Sequence, residues 1–182
     1  MQRRSMLLAG FALVLTLCLP LSSAASTEAT WHPDGDDSPS PLDIRRAGMV
    51  VESGLRVTIS IRTFERIDLA SDGQLWAHLD SWGGPRWDYG FHIWYDGGSS
   101  GIYCDWRDRK GHVNPLIAWS VRGRTASCSF DARQIAIRKP VRWRVFSTTL
   151  LDRSPVKPRP SDMLDRAPNG GAWFPGVELP DR

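Results

Sequence analysis

Apolar and polar residues alternate with a period of two along several short segments of the chain. The clearest alternation lies in segment 55–64, where Leu55, Val57, Ile59 and Ile61 are separated by polar residues. Because successive side chains of a strand point to opposite faces, this pattern predicts a half-buried β-strand. Seven more apolar segments of strand length are bounded by turn-forming residues, at 42–51, 74–81, 88–96, 101–107, 116–122, 125–130 and 141–151.

No segment shows the period of a long amphipathic helix, and only residues 131–135 suggest a short helical turn. Short strands in succession, separated by turns, are typical of antiparallel sheets that pack face to face. The sequence therefore predicts an all-β fold. We expect an antiparallel β-sandwich or jelly roll of about eight strands with a short helical turn.

Three of these strands form a predicted meander between residues 74 and 107. Glycine and proline interrupt it at 83–85 and at 97–101, and these are strong turn signals. Hairpins symmetric about the two turns place His78 opposite His92. One face of the meander is then apolar and carries Leu75, Ala77, Leu79, Phe91 and Ile93. The opposite face carries Trp76, His78, Asp80, His92, Trp94 and Tyr103.

This opposite face is a candidate ligand-binding surface. By strand parity Trp76 and Trp94 point away from the core, and large apolar area left in water indicates a partner. Sugar rings stack on rigid, exposed aromatic faces, and the polar neighbours can hydrogen-bond sugar hydroxyls. Trp82 and Trp87 flank the turn at 83–85, where we also expect exposure.

Two other interpretations of the same face stay open. A second layer, such as the tail around Trp173, would cover it and make the tryptophans structural. Alternatively, a row of His78, His92 and Asp105 is a candidate for a Zn²⁺-like ion with an open coordination position. A polar row on a solvated sheet face would explain the same residues.

A candidate cation site lies near the N-terminus. Asp34, Asp36 and Asp37, with Asp43 downstream, bring several carboxylates together in one loop. Ca²⁺ takes several oxygen ligands at short range, so this loop is a candidate calcium site. It lacks the length and the glutamate of an EF-hand, and the alternative is a solvated acidic loop.

The first 25 residues have the order of a secretory signal. Arg3 and Arg4 precede an apolar stretch at 7–21, and small residues follow at 23–25. The stretch is short for a membrane span and contains a proline, so no stable span is expected after signal removal. We expect a secreted or extracytoplasmic protein; the paired arginines leave both the general and the twin-arginine export routes open.

Export leaves Cys104 and Cys128 as the two cysteines of the mature chain, which suggests a disulfide. The predicted strand order places them two strands apart, or roughly 9.6 Å. A disulfide needs Cα atoms within about 7 Å. Either the bond is absent, or one of the strands lies elsewhere in the sandwich.

The charge of the mature chain is nearly balanced. Without Arg3 and Arg4 the 23 basic residues fall to 21, against 20 acidic residues, so nothing indicates nucleic acid as a partner. The distribution is uneven, however, because segment 122–144 holds seven basic residues and one acidic residue. Such a run suits an anionic cell-wall polymer or polysaccharide, although outward-facing arginines on alternating strand positions would also explain it.

Four segments carry a family resemblance: DGDDSPSPLDI, LRVTISIRTF, LWAHLDSW with DYGFHIWY, and DRAPNGG. Together they resemble small secreted bacterial β-sandwich proteins of unassigned function, over most of residues 34–171. More distantly, the layout is similar to carbohydrate-binding jelly-roll modules. The resemblance implies a non-catalytic binding role with aromatic side chains presented to sugar, and the acidic opening implies a structural cation.

The sequence contains no motif for nucleophilic, zinc-protease or phosphate-binding chemistry. An SxxK string at 154–157 is interrupted by prolines that prevent the helix this chemistry needs. We therefore predict a signal peptide (1–25), a polar segment (26–41), a β-sandwich domain (42–151) and a proline-rich tail (152–182). The predicted function is recognition of a glycan or other extracellular ligand. The alternatives are a structural or protein-interaction domain of the cell envelope, or a glycan-active enzyme with two converging carboxylates.

Overall fold

A computed structural model describes residues 30–52, 55–84, 87–96, 99–106, 117–135, 140–149 and 162–177. Only the backbone is described at 30, 95–96, 99–100, 102–106 and 171. The predicted signal peptide lies outside these residues. Within them, no helix is long and apolar enough to span a membrane.

Eleven strands and two short 3₁₀ turns make up the regular structure of the described residues. In chain order the strands are β1 (Thr30–Pro33), β2 (Ile44–Val51), β3 (Arg56–Thr63), β4 (Gln74–Asp80), β5 (Tyr89–Asp96), β6 (Ser99–Trp106), β7 (Ala118–Arg122), β8 (Thr125–Asp131), β9 (Val141–Thr148), β10 (Met163–Ala167) and β11 (Phe174–Val177). The 3₁₀ turns are Ala132–Gln134, where a helical turn was expected, and Asn169–Gly171.

The strands form two antiparallel sheets. Sheet A has the order β1-β2-β3-β8-β7, and sheet B has the order β10-β9-β4-β5-β6. Strand β11 pairs with the edge of β9 that β10 also uses, through residues nearer the start of β9. The predicted all-β antiparallel sandwich is confirmed.

The core lies between the two sheets. On β3 the predicted alternation holds, since Val57, Ile59 and Ile61 are buried while the intervening side chains are exposed or half-buried. The rings of Phe91 on sheet B and Phe130 on sheet A stack with centroids 4.8 Å apart. The predicted inward face of the meander is also confirmed, because its five residues all belong to the buried core: Leu75, Ala77, Leu79, Phe91 and Ile93.

The hairpin registers differ from the predicted ones by two residues. Trp76, not His78, lies opposite His92, and His92 pairs with Tyr103 instead of Asp105. A two-residue shift keeps every side chain on its face but changes its cross-strand neighbours. The predicted rows across the meander are therefore wrong, including the row of two histidines and an aspartate.

Turn geometry accounts for this shift. Asp96 pairs with Ser99, so residues 97–98 alone separate β5 from β6, and this connection is shorter than a turn spanning 97–101. Between β4 and β5 the loop is fixed by a side chain. One carboxylate oxygen of Asp88 accepts hydrogen bonds from the backbone N–H groups of Ser81 and Trp82, at 2.8 and 2.9 Å.

Three strands lie outside the predicted set of eight. Strand β1 belongs to the segment expected to be polar and irregular, and β10 and β11 belong to the segment expected to be a tail. Both tail strands pair with β9, and Phe174 is buried against Trp143 with ring centroids 4.4 Å apart. The described part of the tail therefore completes sheet B.

Cys128 is a free cysteine buried in the core on β8, so the expected disulfide with Cys104 is not present. Cys104 belongs to β6 of sheet B, whereas Cys128 belongs to sheet A. Packed sheets lie about 10 Å apart, which exceeds the Cα separation that a disulfide spans. Burial raises the pKa of the Cys128 thiol to about 12, which keeps it protonated.

Candidate cation site

The expected aromatic platform on sheet B is not exposed. Trp76 is 3% exposed and its ring lies between those of His92 and Phe146, at centroid distances of 4.1 and 5.6 Å. Trp87 is buried as well and stacks on His78 at 4.6 Å. Because β4 is a central strand and both of its faces are covered, every residue of Gln74–Asp80 is buried.

The remaining residues of the predicted surface do not restore a platform. Trp82 and Trp94 are half-buried, and the side chain of Tyr103 lies outside the description. Trp173, from the tail, lies over the guanidinium groups of Arg142 and Arg144. The outward face of sheet B is thus a second packed layer, which is the structural alternative raised by the sequence.

The polar residues on this face have structural contacts. Asp80 is 1% exposed, forms an ion pair with Arg142 and accepts a hydrogen bond from the backbone of Gly83 at 2.7 Å. His92 is buried, and burial lowers its pKa to about 4, so the imidazole is neutral in the folded protein. By strand register, His92 lies one row away from His78 and Asp105, so the three residues do not form the single row proposed for zinc.

The acidic loop, in contrast, does form a cluster. Asp34 follows β1 and its N–H donates to the carbonyl of Arg45, at 2.8 Å. Asp43 lies just before β2 and its N–H donates to the carbonyl of Ser40, at 3.0 Å. The chain between them therefore doubles back on itself and brings its carboxylates together.

Asp165 on β10 completes this cluster. Oxygens of Asp37, Asp43 and Asp165 all lie within 4.8 Å of one another. Ligands on opposite sides of a Ca²⁺ ion are separated by about twice the Ca–O distance of 2.3–2.6 Å, so one ion can contact all three. Among the described residues this is the one such group of three, and its residues supply oxygen alone, which suits Ca²⁺ rather than Zn²⁺.

Two of the carboxylates are held in place by hydrogen bonds. Asp165 accepts from the backbone N–H groups of Ile44, at 2.6 Å, and Arg166, at 2.5 Å. Asp37 accepts from the side-chain amide of Asn169, at 2.7 Å. Nearby, the hydroxyl of Ser38 donates to the carbonyl of Leu164 at 3.1 Å, so the acidic loop is joined directly to β10.

Asp43 is the exception, because nothing in the described part of the chain donates to it. It is 2% exposed, and both of its carboxylate oxygens are buried without a hydrogen-bond partner. One oxygen of Asp34 is also buried without a partner. Buried polar groups in proteins are almost always satisfied, so these three oxygens need an explanation.

The raised pKa values of two aspartates show that the cluster lacks a positive charge among the described residues. Burial, followed by the charge of Asp165, raises the pKa of Asp43 to about 7. Burial and the charges of Asp165 and Asp37 raise the pKa of Asp34 to about 6. No ion pair within the described residues offsets these charges. Neighbouring carboxylates repel unless a proton or a cation lies between them.

Asp36 lies close enough to Asp43 to raise its pKa further, so five aspartates contribute to the site. A shallow cleft of about 440 Å³ opens beside the cluster, and its lining includes Asp37, Asp165 and Asn169. The cleft gives water access to the exposed side of the cluster. Water molecules there would supply the coordination positions that carboxylates leave open, as is usual for Ca²⁺.

Sequence reasoning identified the loop carboxylates and missed Asp165. That residue lies far along the chain in the segment DRAPNGG, and no local spacing connects it to the acidic loop. The basic run at 122–144 is also divided by the fold. Arg122 lies on sheet A, whereas Arg142 and Arg144 lie on sheet B, and residues 138–139 are outside the description.

No family model, curated protein or solved structure matches this chain, and in particular no enzyme family matches it.

Proposed function

We propose that this protein is a non-catalytic domain of the extracytoplasmic space that binds one Ca²⁺ ion through Asp37, Asp43 and Asp165, with Asp34 close by. The observation that carries the proposal is the buried carboxylate of Asp43, which has two oxygens without a donor in the middle of an acidic cluster. Asp36, which is exposed, is positioned to contribute through water.

The physical argument rests on the cost of burying charge. An ionised carboxylate removed from water is destabilising unless it is paired, hydrogen-bonded or bound to a metal. Here the pairing group is absent from the described residues, and the neighbours carry the same sign of charge. A divalent cation neutralises two carboxylates at once and takes the remaining oxygens as ligands.

The role of the ion follows from where its ligands lie. Asp37 and Asp43 belong to the loop between β1 and β2 of sheet A, whereas Asp165 belongs to β10 at the edge of sheet B. A bound ion would join the two sheets and stabilise the fold by mass action. Extracellular modules bind Ca²⁺ with dissociation constants of about 10⁻⁴–10⁻³ M, which suits the export predicted for this chain.

A non-catalytic role is supported by the state of the carboxylates. Asp43 is 2% exposed, so a polymeric substrate would not reach it. Asp80 and Asp88, which lie near each other, are both engaged with backbone N–H groups of the β4–β5 loop. Neither Asp43 with its neighbours nor the pair of Asp80 and Asp88 presents two accessible carboxylates in a deep pocket, as glycoside hydrolysis requires.

Thermal unfolding with and without Ca²⁺ tests this proposal. We expect millimolar Ca²⁺ to raise the Tm of the EDTA-treated wild-type protein by several degrees, and to leave the Tm of Asp43→Asn unchanged. Glu52→Gln is the matched control, because it removes one exposed negative charge at the end of β2 farthest from Asp43. Its Tm should respond as the wild type does. Equal responses in wild type and Asp43→Asn, or none in either, would contradict the proposal.

A further inference from the structure

Polar side chains make up much of the outer face of sheet A. Strand parity and the buried inner residues place hydroxyl side chains outward on adjacent strands. Thr58 pairs with Ser129, and Ser60 pairs with Ser127, which in turn pairs with Ser120. Hydroxyl oxygens meet across the strands at 2.8 Å (Thr58 with Ser129) and 3.0 Å (Ser120 with Ser127), so the hydroxyls form ordered rows.

A row of arginines crosses one end of this face. Arg46 pairs with Arg62 on the next strand, and Arg62 pairs with Thr125, which pairs with Arg122. Neighbouring strands lie about 4.8 Å apart, so the three arginines are distributed over roughly 15 Å. Like charges placed directly opposite each other on a sheet are destabilising.

These arginines have no acidic partner in the described residues, where the ion pairs are Arg133 with Asp131 and Arg142 with Asp80. The Nε groups of Arg46 and Arg62 are also buried without a hydrogen-bond partner. Both are half-buried overall, and Arg122 is exposed, so their guanidinium groups remain within reach of a ligand.

An aromatic side chain borders the same face. Trp31 on β1 pairs with Gly48, on the row of Ser60 and Ser127. Its neighbour His32 points inward, where it stacks on Phe174 at 4.5 Å, so Trp31 points outward. The guanidinium carbon of Arg46 lies 4.3 Å from the centroid of the Trp31 ring, and Trp31 itself is half-buried.

We propose that this face of sheet A binds an acidic polysaccharide, with Arg46, Arg62 and Arg122 pairing its carboxylates and Trp31 stacking on a sugar ring. Charge complementarity supports the acidic ligand, because arginine binds carboxylates through paired hydrogen bonds. The hydroxyl rows and the aromatic ring support a glycan over other polyanions, since they match sugar hydroxyls and the apolar face of a pyranose. The proposal does not depend on the cation site.

Affinity electrophoresis through gels containing polygalacturonate tests this inference. We expect the acidic polymer to retard the wild-type protein, neutral dextran to leave it unretarded, and added salt to weaken the retardation. Arg62→Gln and Trp31→Ala should each weaken binding about tenfold, the usual effect of losing a charge-assisted or stacking contact. Arg133→Gln is the matched control, because Arg133 is paired with Asp131 and lies near the opposite end of β8.

Each variant is first checked for a wild-type unfolding transition, so that lost binding is not lost folding. The proposal is overturned if polygalacturonate does not retard the wild-type protein, or if Arg62→Gln binds as the wild type does. It is also overturned if single-stranded DNA of equal charge competes as well as polygalacturonate does, because binding would then depend on charge alone.

Discussion

Asp43 and Asp165 come from opposite ends of the described chain, yet they hold carboxylate oxygens within 4.8 Å of each other. Asp165 is anchored by two backbone N–H groups, whereas Asp43 has no donor within the described residues. Folding thus brings together two negative charges that repel. A bound cation attracts both carboxylates, so their contact becomes stabilising.

Removing the charge of Asp43 is therefore expected to stabilise the protein when no metal is present. In EDTA at pH 8, Asp43→Asn should unfold at a higher temperature than the wild type, because the amide has no charge to bury and can donate to Asp165. Calorimetry or circular dichroism measures the difference. A lower Tm for Asp43→Asn in EDTA would show that the carboxylate is not a source of repulsion.

The tryptophan at the centre of sheet B should behave as a core residue. Trp76→Ala removes a ring packed between His92 and Phe146, so we expect a loss of roughly 3–5 kcal/mol in the free energy of unfolding. Urea denaturation measures this loss. Trp31→Ala is the control, since its ring is half-buried, and its cost should be clearly smaller. Near-equal costs would indicate that Trp76 is accessible after all.

The half-buried ion pair between Arg142 and Asp80 should contribute more to stability than the exposed pair between Arg133 and Asp131. Arg142→Ala leaves a carboxylate that is 1% exposed without its charge partner, which typically costs about 1–3 kcal/mol. Arg133→Ala should leave the free energy of unfolding almost unchanged, because exposed ion pairs contribute little. Urea denaturation of both variants compares them, and similar losses would mean that the loop reorganises to hydrate Asp80.

Burial of His92 should make the protein less stable in mild acid. Its pKa is about 4 in the folded protein and about 6.5 in the unfolded chain, so the unfolded chain takes up a proton first as the pH falls. The part of the free energy of unfolding that depends on neutral His92 is fully present above pH 6.5. It is lost between pH 6.5 and 4, by up to about 3 kcal/mol.

His92→Gln should therefore lose stability less steeply than the wild type over this interval, as measured by urea denaturation at several pH values. The acidic site is the same in both proteins, so its own pH dependence cancels in the comparison. Identical slopes would show that His92 titrates alike in the folded and unfolded states.

Local pattern predicted the parts of the fold that local interactions determine. Alternation along β3 and β4 identified both strands and their inward residues, because strand parity depends on the chain alone. The turn at Gly123 was also predicted from local sequence, because glycine is a turn signal. Gly123 has the positive φ of 60° that favours glycine. The predicted hairpin registers were wrong, since one depends on how Asp88 orders the β4–β5 loop and the other on the two-residue connection between β5 and β6.

Contacts between distant segments were beyond what the sequence could indicate. Trp76 has the same alternation whether its face is open or covered. Only the folded structure shows that Phe146 stacks beside Trp76 and that Trp87 stacks on the neighbouring His78. Strands β10 and β11 are short, lie among prolines and form at an edge of sheet B. Asp165 belongs to one of them, so the third carboxylate of the cation site was missed while the acidic loop was recognised.

Equilibrium dialysis against radiolabelled Ca²⁺ tests the cation site most directly. The wild-type protein, first stripped with EDTA, should bind one ion per chain with a dissociation constant of about 10⁻³ M or tighter. Asp43→Asn should lose this binding, and Glu52→Gln should keep it. Failure of the wild type to bind Ca²⁺ at millimolar concentration, or equal binding by Asp43→Asn, would contradict the assignment of Asp37, Asp43 and Asp165 as a calcium site.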